Sequence, residues 1–306
     1  MCDTHLLVLG ATGTVGAALM QRFPTARIVG SCRQQKPDNY VAFDLEKHAP
    51  DDLLRAAIEK LPTGCFSHCA LSMMPFSPAA CAAQPAKTRH VAVTRMNALI
   101  DTLQAAQIVP VFFSTDYVFD GSAGLSTEAT AANPITEYGR QKYLVEQHLA
   151  ASGAPHLILR LGKVVSVKAS AGSLIHGWVK DIDQGNTIRI ASDQILGPVS
   201  VDDVAAVTKL LTARGATGLY HVSNGEQISR YEFFRRTYFH LTGRDDPDTQ
   251  TFAPCSLDEI GFSETYPQNT SLDNRKAVSE LDFEFMGSDA ICRQAIAALH
   301  GKRGKI

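Results

Sequence analysis

No run of apolar residues in this chain of 306 is long enough to cross a bilayer, so no membrane partner is expected. Basic clusters are scarce as well. The formal net charge is −2, and the only charge run is the tail Lys302-Arg303-Gly304-Lys305, which reads as a solvated end; nothing here suits a nucleic acid. The N-terminus lacks a basic segment and a cleavage site and enters an apolar strand almost at once, so no secretory leader is expected and the expected location is cytoplasmic. The seven cysteines are odd in number and scattered, which excludes a disulfide framework and fits a reducing compartment. Cys65, His68 and Cys69 lie close together but have no second ligand pair, so they read as strand residues and no metal is expected. Internal repeats and low-complexity linkers are also missing.

What is present is a regular alternation. His5 to Leu9 is a short apolar strand that runs into Gly10-Ala11-Thr12-Gly13-Thr14-Val15-Gly16, and Ala17 to Phe23 reads as helix. Strand, glycine turn and helix form the setting a dinucleotide site requires: Gly10 permits the turn, Gly13 admits a pyrophosphate close to the backbone, and Gly16 lets the helix pack on the strand. The helix start then offers free N–H groups to phosphate. Ala26 to Gly30 is a second strand, and it ends in Ser31-Cys32-Arg33 with no acid. A carboxylate there would accept from a ribose 2′-hydroxyl; Arg33 instead can pair with a 2′-phosphate and Ser31 can donate to one. NADPH is therefore expected over NADH, with a plain surface charge as the other reading of Arg33.

Further strands are expected at 41–43, 65–70, 109–113 and 157–161, with helices at 50–60 and 84–105 between them. That spacing implies a Rossmann-type α/β fold with a doubly wound parallel sheet, whose ligands sit at the carboxyl ends of the strands. Tyr138 and Lys142 share one helix face. An ammonium beside a phenol favours the phenolate, so the pair is a candidate acid with a lowered phenol pKa.

The run Ser114-Thr115-Asp116-Tyr117-Val118-Phe119-Asp120-Gly121, taken with Tyr138 and Lys142, resembles the extended short-chain dehydrogenase/reductases. More narrowly the chain is similar to the dTDP-4-dehydrorhamnose reductases, a branch that also holds the regulatory β subunit of methionine adenosyltransferase. Asn133-Pro134 before the Tyr, Glu146 after it, Asp202-Asp203-Val204-Ala205, and Pro267-Gln268-Asn269-Thr270-Ser271-Leu272-Asp273 extend the likeness over nearly the whole chain. The resemblance implies that Thr115 holds the substrate carbonyl or the Tyr hydroxyl, Tyr138 donates the proton, and Lys142 bonds the nicotinamide ribose and lowers the Tyr pKa. It implies a cofactor lining of Gly10, Thr12, Gly13, Val15 and Arg33, then Asp44, Leu45, Cys69 and Ala70, with Tyr138 and Lys142. NADPH would deliver hydride to the carbonyl carbon of a nucleotide-activated 4-keto-6-deoxy sugar.

Departures from that branch gather where substrate would be held. An acidic stretch is usual after the fourth strand, but this chain has Ser72-Met73-Met74-Pro75-Phe76-Ser77-Pro78. Ala92 stands for a usual Asn, Lys163 for a usual Trp, and Tyr266 for a usual Arg. Met73 and Met74 are either an apolar substrate wall or core packing; Asp116 and Tyr117 are either substrate contacts or a strand-end turn. The alternatives are a non-catalytic NADP-binding regulatory subunit, like the methionine adenosyltransferase β subunit, and a reductase of another ketone or imine. A cofactor-binding domain is expected over 1–165 and 196–226, and a small discontinuous α/β substrate domain over 166–195 and 227–306. Trp178 falls on an amphipathic helix and could face either core or pocket. A homodimer is compatible with all of this.

Overall fold

The computed structural model describes residues 4–33, 39–61, 65–73, 75–167, 173–245, 247–248 and 251–303. Two compact units divide the chain, one of Met1–Val118, Thr136–Arg160 and Ala205–Tyr220, the other of Phe119–Ile135, Leu161–Val204 and His221–Ile306.

The first unit is built by alternation. Its elements in chain order are β1 (Leu6–Leu9), α1 (Thr14–Arg22), β2 (Ile28–Cys32), β3 (Tyr40–Ala42), α2 (Pro50–Ile58), β4 (His68–Leu71), α3 (Pro78–Ala83), α4 (Pro85–Arg89), a π-helical stretch His90–Arg95, α5 (Met96–Ala105), β5 (Val109–Thr115), α6 (Glu137–Ala151) and β6 (Leu157–Leu161). With β7 (Lys163–Val165) the chain enters the second unit, and over Ala205–Tyr220 it returns to the first. The elements that follow are α7 (Leu174–Gln184), β8 (Ile188–Ala191), β9 (Ile195–Leu196), β10 (Pro198–Ser200), α8 (Val201–Ala213), β11 (Gly218–Val222), β12 (Ile228–Ser229), α9 (Arg230–Thr242), β13 (Phe252–Cys255), α10 (Arg275–Leu281) and α11 (Ser288–Arg303).

Seven strands form one sheet in the order β11-β6-β5-β4-β1-β2-β3. The pairs β1–β2, β1–β4, β2–β3 and β4–β5 are all parallel. This is a Rossmann-like α/β sheet, and β1 shows why the chain folds so. All four of its residues are buried, as a strand covered on both faces requires. Leu7 and Leu9 join Cys69, Leu71 and Phe112 in a core with α2, α5 and α6. Period two turns Leu6 and Val8 to the opposite face. His68, at the start of β4, is buried; burial pulls its pKa down to about 4, so the ring is neutral, with Nδ1 2.9 Å from the Ser67 hydroxyl.

The helix expected over 84–105 is interrupted by the π-helical stretch, and it starts at Pro85, whose missing N–H is unneeded at a helix start. The fourth strand runs His68–Leu71 rather than ending at Ala70, so the sheet edge lies further along the chain.

The second unit has its own core, of Trp178, Phe233, Phe234, Tyr238, Phe252 and Ile291 among others. Trp178 belongs to it, with its ring edge-on to Phe234 at 5.4 Å. The segment 119–135 also belongs to this unit, whereas the expected boundary put it with the first. The reason is backbone pairing: Asn269 N donates to the Gly121 carbonyl at 3.2 Å, and Ser126 bridges Leu272. No described helix is long and apolar enough to cross a membrane, and no group of three or more described His, Cys, Asp or Glu residues could hold a metal ion.

Candidate active site

The glycine turn after β1 is sterically compelled. Gly10 has a φ of +80°, and a Cβ on Gly16 would lie 2.2 Å from the Gly10 carbonyl oxygen. Only glycine lets α1 close on the turn there. Gly13 is the N-cap of α1, and Thr12 and Gly13 are exposed with Val15 half-buried, so the first N–H groups of the helix are open to an anion. Arg33 is exposed just past β2. Ser31 is not available to a phosphate: it is 1% exposed and its hydroxyl accepts from Gly10 N at 3.2 Å.

Past β3, the loop holding Asp44 and the buried Leu45 is braced by Arg95 of the π-helical stretch. Its guanidinium donates to the Leu45 carbonyl and, at 2.7 Å, to the His48 carbonyl. Asp44 accepts from Glu46 N at 3.0 Å. Cys69 and Ala70 are wholly buried inside β4, and Cys69 is part of the core, so neither side chain offers surface to a ligand. Strand alternation in a sheet covered on both faces accounts for this, and Met73 is the residue that reaches the turn, its backbone 3.0 Å from where a Gly10 Cβ would be. Met74 lies outside the described residues.

Thr115 ends β5, and Tyr138 stands in the first turn of α6. Thr136 caps that helix, accepting from Gly139 N at 3.0 Å. A Cβ on Gly139 would lie 2.1 Å from the Tyr117 carbonyl oxygen, so the glycine inside Tyr138-Gly139-Arg140-Gln141-Lys142 is what brings α6 against the end of β5. The Tyr117 ring meets the Tyr138 ring edge-on at 6.2 Å. Behind the turn, Glu137 takes Arg89 at 2.8 Å and Gln141 at 3.0 Å, and Gln141 also donates to Thr88 at 2.9 Å. Further along α6, Glu146 pairs with Arg160 at 2.6 Å, both side chains 5% exposed.

Tyr138, Gln141 and Lys142 line one wall of an open cavity. The other walls are apolar: Met73, Pro75 and Phe76 after β4, Cys81 of α3, Ala92 of the π-helical stretch, Met96 of α5, and Phe112 of β5. The loop side chains Met73 and Phe76 also pack on the core.

The electrostatics differ from expectation. The Tyr138 phenol is pushed above its ordinary range, first by burial and next by the Asp116 carboxylate; a hydrogen bond donated by the Thr115 hydroxyl would pull the other way. The Lys142 ammonium is itself poorly solvated. Burial brings Lys142 down to about 8, with Glu146 opposing, and Nζ donates to the Phe113 carbonyl at 2.8 Å and lies 4.7 Å from the Phe112 ring centre. Asp116 is 6% exposed and accepts from the Thr115 hydroxyl at 3.0 Å.

A lysine whose folded pKa lies below its unfolded value binds fewer protons folded than unfolded between those two values, so its burial weighs least at high pH. With about 8 folded and 10.5 unfolded, the stability of the chain should gain from this group as pH rises through that window. Lys142→Met is therefore expected to be more stable than the wild type at neutral pH, with the gap closing above about pH 8 in urea titrations. A gap that is constant across pH would contradict the burial account.

The family described as the RmlD substrate binding domain matches residues 4–298. The chain belongs to this family. A relative from Haloferax volcanii, named a probable low-salt glycan biosynthesis reductase (Agl14), is 27% identical over 96% of this chain and 97% of its own. The methionine adenosyltransferase 2 subunit beta of Xenopus tropicalis is 25% identical over 85% of this chain and 84% of its own. The fold is shared with dTDP-4-dehydrorhamnose reductase of Bacillus anthracis, a structure in complex with NADP, at a TM-score of 0.80, 17% identity, and cover of 97% of this chain and 99% of that one.

Within this RmlD-family chain, the structure brings Thr115, Tyr138, Lys142, Asp116 and Tyr117 to one end of β5 and α6. It keeps Met73 at the glycine turn and removes Cys69 and Ala70 from any surface. Sequence reading missed Arg95, Gln141, Cys81 and Met96. Only Gln141 had a signal, since it lies on α6 within one turn of both Tyr138 and Lys142.

Proposed function

We propose that this RmlD-family protein is an oxidoreductase, an NADPH-dependent carbonyl reductase acting on a nucleotide-activated 4-keto-6-deoxy sugar. The observation that supports it is the Tyr138 phenol in contact with the Thr115 hydroxyl, with Lys142 one helical turn on in the same cavity. NADPH, when bound, supplies hydride to the carbonyl carbon. The first unit is then the cofactor-binding unit and the second takes the sugar nucleotide.

The glycine cradle fits a pyrophosphate, because Cβ atoms at Gly10 and Gly16 would meet backbone. Gly10, Thr12, Gly13 and Val15 would hold it, Arg33 would pair with a 2′-phosphate, and the loop of Asp44 and Leu45 would border the cofactor. Lys142, which gives one ammonium hydrogen to the Phe113 carbonyl, would bond the ribose hydroxyls with the others. Tyr138 gives its proton to the carbonyl oxygen as charge develops there, which a phenol held in its protonated form can do. Met73 and Phe76 exclude water beside the acid.

Purified protein is expected to oxidise NADPH with dTDP-4-keto-6-deoxy sugars, and more slowly with NADH. Turnover confined to apolar ketones would overturn the sugar assignment, and NADH at least as good as NADPH would overturn the role of Arg33.

The relatives named methionine adenosyltransferase 2 subunit beta support a second reading, a non-catalytic NADP-binding regulatory subunit. Binding of NADPH with no oxidation against any keto-sugar nucleotide, together with co-purification with a synthetase, would favour it.

A further inference from the structure

Thr115 cannot play the part of a second donor while Asp116 is beside it. A hydroxyl has one hydrogen. That of Thr115 goes to Asp116 Oδ1 at 3.0 Å, and its oxygen accepts from Tyr117 N at 3.3 Å. The same hydroxyl touches the Tyr138 phenol, so in that contact the phenol is left as the donor. We propose that Asp116 is a positioning residue that holds the Thr115 hydroxyl as an acceptor for the Tyr138 O–H, so that the phenol keeps its proton until a carbonyl oxygen takes it.

The groups around the phenol leave this role to Asp116. From α3 comes the Cys81 thiol, whose Sγ donates to Gln141 Oε1 at 3.6 Å. From α6 come Lys142, turned to the Phe113 carbonyl, and Glu137, taken up by Arg89 and Gln141. From the turn after β5 come the Tyr117 ring edge and Asp116 itself. Asp116 is the carboxylate among these that raises the phenol pKa. A Thr115 hydrogen turned toward Tyr138 would favour the phenolate; the same hydrogen on Asp116 leaves Thr115 to stabilise the protonated ring.

The inference rests on Tyr138 being the acid, and its test reads the phenol without needing turnover. The ultraviolet difference absorbance of phenolate is measured at a fixed alkaline pH in the full chain, each form against its own Tyr138→Phe counterpart. Asp116→Asn retains an acceptor for Thr115 and removes the charge; its Tyr138 phenolate fraction is expected to rise about tenfold, the effect of a shift of about one pH unit. Thr115→Val removes the acceptor and keeps the charge, and it is expected to raise the fraction too. An unchanged fraction in Asp116→Asn, or a fall in Thr115→Val, would overturn the proposal; if Asp116→Asn does not fold, the Thr115→Val result decides alone. In turnover, the alkaline decline of kcat/KM should move to lower pH in Asp116→Asn. Phenolate shifts as expected in a protein that reduces no carbonyl would sink the functional reading and leave the role of Asp116 standing.

Discussion

Tyr138→Phe is expected to lower kcat about 10²- to 10⁴-fold, the range for loss of a positioned acid, while the Kd for NADPH changes little. The ring remains, so its edge-on contact with Tyr117 at 6.2 Å and the α6 turn that carries it are retained. Only the hydroxyl against Thr115 is lost. KM for the sugar nucleotide should move far less than kcat, because the interaction removed is made mostly in the transition state. Stopped-flow NADPH oxidation separates the two constants. A variant with wild-type kcat would mean the proton comes from elsewhere.

Arg160→Met carries the largest expected effect on stability, a loss of about 3–5 kcal/mol. Arg160 holds Glu146 by contacts at 2.6 and 3.1 Å, with both side chains 5% exposed. Removing the guanidinium strands a carboxylate in the interior, and the stranded charge rather than the lost attraction dominates the cost. Replacing both partners with apolar residues of similar volume should recover most of the loss. Urea unfolding of the single and double variants measures this. A single variant within about 1 kcal/mol of wild type would show that Glu146 finds water or another partner. Because Lys142 lies one turn before Glu146 on α6, the single variant should also weaken the site.

The residues whose roles are local could be read from the sequence. Gly10 and Gly16 follow from sterics within one turn, and Tyr138 and Lys142 from helical spacing. β1 reads as a strand from its run of apolar residues. What escaped depends on contacts far apart in the chain. Arg95 braces a loop about 50 residues upstream, and Trp178 was placed in the core by α9. Asp116 looked like a strand-end turn because nothing in the sequence put it beside a residue on α6. The direction of the Tyr138 pKa differs from expectation for the same reason: spacing puts an ammonium near the phenol, but burial and a carboxylate from another element set the direction. Cys69 and Ala70 fall inside β4 rather than at its end because a strand end uncertain by a single residue moves the edge of the sheet.

The central claim is that a phenol on α6 protonates a carbonyl oxygen as hydride arrives from NADPH bound at the glycine turn. Its most direct test is reduction of a dTDP-4-keto-6-deoxy sugar with NADPH carrying deuterium on the transferring face, followed by mass spectrometry of the product. The expected result is one deuterium on the new carbinol carbon with the wild-type chain and almost none with Tyr138→Phe. Product free of deuterium, or equal transfer by both chains, would contradict it.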